Sequence, residues 1–422
     1  MFKFLHTADI HLDSPLHKLE YYEGAPVREL RQATRRAFAN LVELAIVEEV
    51  DFVLIAGDLY DGDWKDYNTG LYFISQMGRL REAHIPVTIV TGNHDAASKI
   101  TKTLRLPEGV DIFPSNSPST IRINNLDVAI HGQSFSSPSV KKDLSARYPS
   151  PLPGAFNIGI LHTCATGREG HEPYAPCTVE GLLSKGYDYW ALGHVHKREM
   201  LSEDPLILFS GNIQGRHIRE TGSKGCILVT VDDKGRSRAH FKSLDVIRWF
   251  KIEKDISNAE TGYDVVDLLR MAIDPLLEEN SGLPLVVRLE IMGDSRAHDE
   301  LASDMERWTN EIRSMAMDTS GERIWIEKVK LNTRLPLDMK TLESATGPVG
   351  ELIRYLEEIR FDPDILDNMG EEFLGDLKRK LPRELREGEE KIPLEDPKWL
   401  LEMLEQVRPM LLSRLMRKDE SL

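Results

Sequence analysis

The chain has 422 residues, with 69 Asp and Glu against 53 Lys and Arg, a formal net charge of −16, and three cysteines. That length buries a large core and allows two or three domains, which excludes a small disulfide-framed scaffold. The acidic balance excludes a protein that coats nucleic acid by charge alone. Cys164, Cys177 and Cys226 are odd in number and include no CxxC pair, which argues against a thiolate zinc site and fits a reducing compartment. The charge is uneven. Residues 1–250 carry 30 acidic and 28 basic side chains, a balance of −2, whereas residues 251–422 carry 39 and 25, a balance of −14. The first part can therefore hold a polyanion locally once metal offsets its carboxylates. MFKFLHTADI meets a His and an Asp within ten residues, leaving no room for a secretory apolar region, and no run reaches membrane-spanning length. A cytoplasmic protein with no membrane partner is expected.

Taken in order, FKFLHTA, DFVLIAG, IPVTIVTG, LDVAIHG, FNIGILHT and YDYWALG are short runs of Val, Ile, Leu and aromatics that predict strands. Between the first two lies VRELRQATRRAFANLVELAIVEEV, with apolar residues at helical spacing. The alternation predicts a layered α/β domain. GCILVTVDDKGRSRAHFKSL reads as a hairpin turning at DDKG, closing this domain at residues 1–245. Over residues 246–335, the predicted strands IRWFKIEK, PLVVRLEIMG and RIWIEKVKL alternate with the predicted helices TGYDVVDLLRMAIDPLLEE and DELASDMERWTNEIRSMAM, a small α+β unit. Residues 336–422 turn acidic and helical. The last helix, DPKWLLEMLEQVRPMLLSRLMRK, opens on an Asp cap with Pro at the first position and is expected to kink at Pro409. Its apolar face either packs on its own domain or docks a partner.

Potential ligands follow the apolar runs. Asp9 and His11 follow the first, Asp58 and Asp61 the second, and Asn93, His94 and Asp95 the third; His162 closes FNIGIL, and His194 and His196 follow YDYWALG. A core histidine or a solvated carboxylate explains any one of these, but not five strand ends together, and carboxyl ends of strands are where α/β folds build sites. Glycines 57, 92 and 193 are expected to let the backbone turn sharply there. If GHVH continues as a strand, His194 and His196 leave it on one face, roughly 6–7 Å apart along the chain. The set is Asp, His and Asn without Cys, which suits manganese, with iron or zinc as alternatives. Seven candidate ligands, Asp9, His11, Asp58, Asn93, His162, His194 and His196, are too many for one ion and suit two, held roughly 3.5–4 Å apart. A bridging carboxylate is then needed, and Asp58 is the natural choice.

Asp9-x-His11, Gly57-Asp58-x-x-Asp61, Gly92-Asn93-His94-Asp95, His162 and Gly193-His194-x-His196 resemble, in order, the five motifs of the calcineurin-like metallophosphoesterases. The resemblance implies a layered β-sandwich-type core flanked by helices and a two-metal hydrolase. It assigns Asp9, His11, Asp58 and His196 to one ion and Asp58, Asn93, His162 and His194 to the other. It also implies that His94 is not a ligand but serves the leaving oxygen, oriented by Asp61. GDLYDGD and GNHD depart from the GDxxDRG and GNHE of protein phosphatases. HTADIHLDSPL, GREGHEPYAPCT and FSGNIQGRHIRETGSKGC are similar to the SbcD group of DNA repair exonucleases, in its YhaO-like branch. For the first 250 residues that likeness rests on motifs; beyond them it rests on architecture.

That likeness implies a DNA exonuclease subunit with two divalent ions, most simply Mn2+. It further implies an α+β capping domain, C-terminal helices that dock on an SMC-like coiled-coil ATPase, and homodimerisation through helices near 68–83. Candidate phosphate contacts are Lys197 and Arg198, together with Arg216, His217, Arg219 and Lys224 in a following loop. His131, His171 and Cys177 are expected to pack or hydrogen-bond rather than coordinate. The competing readings are a small-molecule or nucleotide phosphodiesterase or phosphatase on the same fold, and a non-catalytic scaffold, which the complete ligand set argues against.

Overall fold

The computed structural model describes residues 1–14, 27–61, 67–97, 105–165, 174–336 and 348–361, and short pieces between 374 and 407. The chain divides into two compact units, one comprising 1–251, 279–288 and 320–328, the other 252–278, 289–319 and 329–422.

The first unit is built on two six-stranded sheets. One sheet has the order β12-β11-β1-β2-β3-β4, formed by Ser237–Ser243, Gly225–Val231, Phe2–Thr7, Phe52–Ala56, Val87–Val90 and Val110–Ile112. The other has the order β5-β6-β7-β8-β10-β9, formed by Ser119–Ile123, Val128–Gly132, Phe156–His162, Tyr189–Gly193, Leu206–Phe209 and Glu199–Glu203. The predicted α/β class holds, and every apolar run named above forms a strand. Strands β1 to β4 are mutually parallel, with Phe4 opposite Phe52 and Val53 opposite Val87, and β6, β7 and β8 are parallel in the second sheet. Parallel pairing places the carboxyl ends of β1, β2 and β3 on one edge. β11 and β12 form the predicted hairpin, antiparallel, with Asp232 N donating to Arg236 O.

Strand alternation explains the layering. Along β2, Phe52, Leu54 and Ala56 face the second sheet and pack with Ile130, Ile158, Ile160, Tyr189 and Ala191, whereas Val53 and Ile55 face outward. The outward face is covered by α1 (Val27–Val47), whose Ala37, Phe38, Leu41, Val42 and Ala45 recur at helical spacing and are all buried, and by Phe73 and Met77 of α2 (Tyr67–Glu82). On the far side of the second sheet, Trp190, Leu192 and Phe209 pack with Leu182 of α4 (Val179–Leu183); a short helix α3 (Asn93–Ala97) follows β3. Phe4 and Phe52 stack with ring centres 4.8 Å apart in the middle layer. Such a pair adds about 0.5–1.5 kcal/mol to the burial of its area. β strands clothed on both faces in this way read as nearly continuous apolar runs, which is why they stand out in the sequence.

Further along, β13 (Arg248–Asp255), β14 (Leu285–Asp294) and β15 (Ile324–Arg334) form a three-stranded sheet in that order, and each has residues in both units. The second unit carries α5 (Gly262–Glu279). The stretch read as one helix over 299–317 is two, α6 (His298–Ser303) and α7 (Met305–Ser320). Asp304 separates them: its backbone leaves the helical region, and its carboxylate accepts from Arg307 N at 3.1 Å, capping the second helix. In α8 (Pro348–Phe361), Leu356 and Ile359 pack beside Leu400, Leu401 and Leu404 of the start of the last helix, so that portion covers its own unit. Pro409 lies outside the described residues. Among the described residues, no helix is long and apolar enough to cross a membrane.

Candidate active site

Side chains from five strand ends meet at the carboxyl edge of the two sheets. Among the described residues, three groups of donors lie close enough to hold an ion: Asp9, His11 and His196; His11, Asp58 and His94; and Asp58, His162 and His194. Asp58 belongs to two of these groups, with Oδ2 3.3 Å from His162 Nε2 and 3.9 Å from His11 Nε2. Asn93 Oδ1 lies 3.0 Å from the same His162 nitrogen. His94 belongs to the middle group, and its Nδ1 is held by Asp61 at 2.7 Å.

The loops that deliver these groups are bent unusually. Asp9, His11, Asp58 and His194 have φ of 51°, 44°, 52° and 103°, a region that costs a non-glycine residue about 1–3 kcal/mol each. Surrounding contacts hold them there: Asp9 N donates to Gly57 O and His11 N to Asp58 O, both at 3.0 Å. This corrects the strand reading of GHVH. β8 ends at Gly193, so His194 and His196 stand on a bend and not on a pleat; they nevertheless fall into different donor groups.

The glycines act mostly through space. Of the three beside the site, only Gly57 has positive φ, at 94°; a Cβ at Gly92 would lie 2.3 Å from Asp58 Oδ1 and 2.8 Å from His162 Nε2, and one at Gly193 would lie 1.9 Å from Ala56 O. Gly92 and Gly193 therefore provide close approach and not the sharp turn expected of them.

Hydrogen-bond roles show whether the donors suit metal ions. His162 Nδ1 lies 2.9 Å from Ala56 O, which only accepts, so the proton sits on Nδ1 and Nε2 points its lone pair at two oxygen acceptors, Asp58 and Asn93. Likewise His196 Nδ1 lies 2.7 Å from the Glu220 carboxylate, which turns Nε2 toward His11 Nε2, 3.2 Å away. Arg216 Nη2 is 3.3 Å from the same Nδ1, but a carboxylate accepts only, so that proton goes to Glu220. Acceptors aimed at acceptors in a buried site need a proton or a metal ion between them, and the donor set fits two divalent ions on either side of Asp58.

The electrostatics say the same. Burial opposes charge on His162, but Asp58 and then Asp9 outweigh it and raise its pKa to about 9. A proton thus occupies the position a metal ion would take. Burial, followed by the charge of Arg216, depresses His11 to about 3, leaving it a neutral ligand. Metal must displace the His162 proton, so apparent affinity should rise with pH by up to about tenfold per unit until pH 9 and level off above it. Calorimetry at pH 7 in buffers of different ionisation heat should therefore show release of about one proton from this imidazole on Mn2+ binding.

Asp95 takes no ligand position. It is buried and accepts from Leu59 N, Tyr60 N and Gly92 N, tying the loops after β2 and β3 together; burial, followed by the charge of Asp58, raises its pKa to about 6. Asp13 does similar work behind the first motif, accepting from Nε and Nη2 on one edge of the Arg35 guanidinium and from Thr69 Oγ1.

The candidate phosphate contacts scatter. Arg216 turns inward, 13% exposed, with Asp61 3.8 Å away and Glu220 3.2 Å away. Arg198 lies over the Phe241 ring at 3.9 Å, and Lys224 Nζ donates to His196 O at 3.0 Å, both supporting packing and not substrate. Lys197, His217 and Arg219 are exposed. His131 bonds Thr120 and Asn157, and Cys177 lies 3.2 Å from Thr163 Oγ1; His171 is outside the described residues. Asn212 of the Ser210–Asn212 segment donates to Glu220 and Gln214. Glu220, which no apolar run announces, is the site residue that motif reading passes over; its only signal is an acid a few residues beyond the Ser210–Asn212 turn.

Residues 2–198 match the calcineurin-like phosphoesterase family, and residues 249–334 match the metallophosphoesterase YhaO middle domain. The chain belongs to the calcineurin-like metallophosphoesterases, phosphoester hydrolases with a dinuclear metal centre. It is 36% identical over 295 residues to the uncharacterized metallophosphoesterase YhaO of Bacillus subtilis (strain 168), covering 69% of this chain and 71% of that one. It is 28% identical over 243 residues to the DNA double-strand break repair protein Mre11 of Sulfurisphaera tokodaii, and 28% identical over 213 residues to that of Saccharolobus solfataricus. These matches cover 54% and 48% of this chain, and 59% and 52% of the relatives.

Proposed function

We propose that this metallophosphoesterase is a Mn2+-dependent phosphodiesterase that cuts DNA from its ends. The observation that carries the reading is the donor set split by Asp58, with a His94–Asp61 pair beside it. Two ions, when bound, supply a nucleophile at neutral pH and neutralise charge on the phosphate. The chain's own groups do the rest. Burial opposes protonation of His94, but the hydrogen bond to Asp61, with Asp58 behind it, outweighs burial and raises its pKa, which favours the charged imidazole. Its side chain is 40% exposed, open to an incoming substrate, and in this reading it gives a proton to the departing oxygen. Asp61, kept ionised by His11, His94 and Ser14 against the cost of burial, fixes the tautomer and orientation of that ring.

Likeness to proteins named for double-strand break repair supports DNA as the substrate. The near-neutral first part supports an accessory partner that brings the DNA. We take this to be an SMC-like ATPase docking on the C-terminal helices, in the cytoplasm, with the chain a homodimer. The test compares purified protein plus Mn2+ on end-labelled duplex DNA, single-stranded DNA, bis-p-nitrophenyl phosphate and p-nitrophenyl phosphate. Diester and DNA cleavage are expected; brisk monoester turnover with intact DNA would replace this reading with a small-molecule phosphatase.

A further inference from the structure

Arg216 and Glu220 lie on the loop after β10, a segment the five motifs do not reach. Glu220 is 4% exposed and accepts from four directions: His196 Nδ1 at 2.7 Å, Arg216 N at 2.8 Å, Asn212 Nδ2 at 3.0 Å and Arg216 Nη2 at 3.2 Å. A carboxylate this buried is costly unless its lone pairs are filled. Here they are filled, by one metal-ligand histidine and by the loop itself.

The guanidinium of Arg216 continues the chain of contacts. Its Nη1 lies 3.3 Å from Ser14 Oγ and 3.8 Å from Asp61 Oδ2, and Ser14 Oγ donates to that same Asp61 oxygen at 2.5 Å. One planar, forked side chain thus touches the carboxylate behind His196 at one end and the carboxylate behind His94 at the other.

The loop is rigidly seated. A Cβ at Gly215 would lie 2.7 Å from Glu220 O, so only glycine lets the turn close on itself. Gln214 Nε2 donates to Ile247 O at 2.6 Å, Val246 N donates to Gln214 Oε1 at 2.9 Å, and Trp249 Nε1 donates to Gly215 O at 3.0 Å.

We propose that Arg216 and Glu220 act as positioning residues forming one strut: Glu220 holds His196 with Nε2 toward the Asp9–His11 group, and Arg216 locks Glu220 to Asp61. Arg216 is thereby a link between the metal-holding half and the proton-donating half of the site, and not a contact to DNA phosphate. The inference rests on the phosphodiesterase reading only for its effect on turnover; its effect on metal binding stands alone.

The test is Mn2+ titration of the full chain by calorimetry, alongside hydrolysis of bis-p-nitrophenyl phosphate. In Glu220→Gln the new NH2 faces other donors, and one of two Mn2+ sites should weaken about 10–100-fold while the other holds within about threefold. Arg216→Lys cannot span both carboxylates; it should weaken the same site several-fold and, with Mn2+ saturating, lower kcat about tenfold without raising KM. Asn212→Ala, which removes one donor to Glu220, should give a smaller shift at the same site, and serves if Glu220→Gln does not fold. Wild-type affinity at both sites in Glu220→Gln, or in Asn212→Ala where that variant stands in, overturns the strut. So does a raised KM with unchanged kcat in Arg216→Lys, which would make the guanidinium a substrate contact. Absence of diester turnover in the wild type would sink the phosphodiesterase reading, leaving the Mn2+ titrations to decide the strut.

Discussion

Replacing His94 with Ser is expected to lower kcat for a phosphodiester by roughly 10²–10⁴-fold while two Mn2+ ions stay bound. The reason is geometric. His94 lies close to Asp58 and His11, near enough to ligate, but its Nδ1 is taken by Asp61 at 2.7 Å and its side chain is more exposed than those of His11, His162 and His196. A ring pinned on one edge by a carboxylate and open on the other is built to exchange a proton, whereas His162, with no exposure, is built to be a ligand. Calorimetry separates the roles: His94→Ser keeps two binding steps, and His196→Ser loses one. If His94→Ser lost an ion, the ring would be a ligand and the proton donor would have to be sought elsewhere.

Gly92→Ala is expected to be nearly as damaging, although no ligand is changed. The added methyl would sit 2.3 Å from Asp58 Oδ1 and within 2.8 Å of the His162 ring, and neither group has room to retreat inside a buried layer. Asp58 would move by an ångström or more, a displacement that costs about 10²-fold in rate when reacting groups are misaligned. If Asp58 bridges the two ions, its displacement should weaken the binding of both. Inductively coupled plasma measurement after dialysis should show Mn2+ lost from Gly92→Ala while its circular dichroism matches wild type. Full retention of Mn2+ would mean that the loop after β3 yields instead of Asp58.

The sequence carried the fold where burial is two-sided. Runs such as FVLIA in β2 and YWALG in β8 are apolar at every position because one face meets the other sheet and the opposite face meets helices or side chains beyond. Strands without that double burial left weaker signals: β5 alternates between half-buried and exposed residues, β4 is three residues long, and β9 is half exposed. The ligands were legible because each follows such a run. Their mutual geometry was not, since alternation along a pleat says nothing of a chain that bends at φ 103° immediately after its strand. Glu220, and the inward role of Arg216, were hidden for another reason. They meet the site through a loop anchored at Val246, Ile247 and Trp249, a tertiary relation with no local periodicity.

Whether Asp58 joins two metal ions into one centre is read most directly by electron paramagnetic resonance of the protein loaded with two equivalents of Mn2+. The expected spectrum is that of an exchange-coupled manganese pair, converted to isolated Mn2+ or lost in Asp58→Ala. A wild-type spectrum of uncoupled Mn2+, unchanged by Asp58→Ala, would contradict the account.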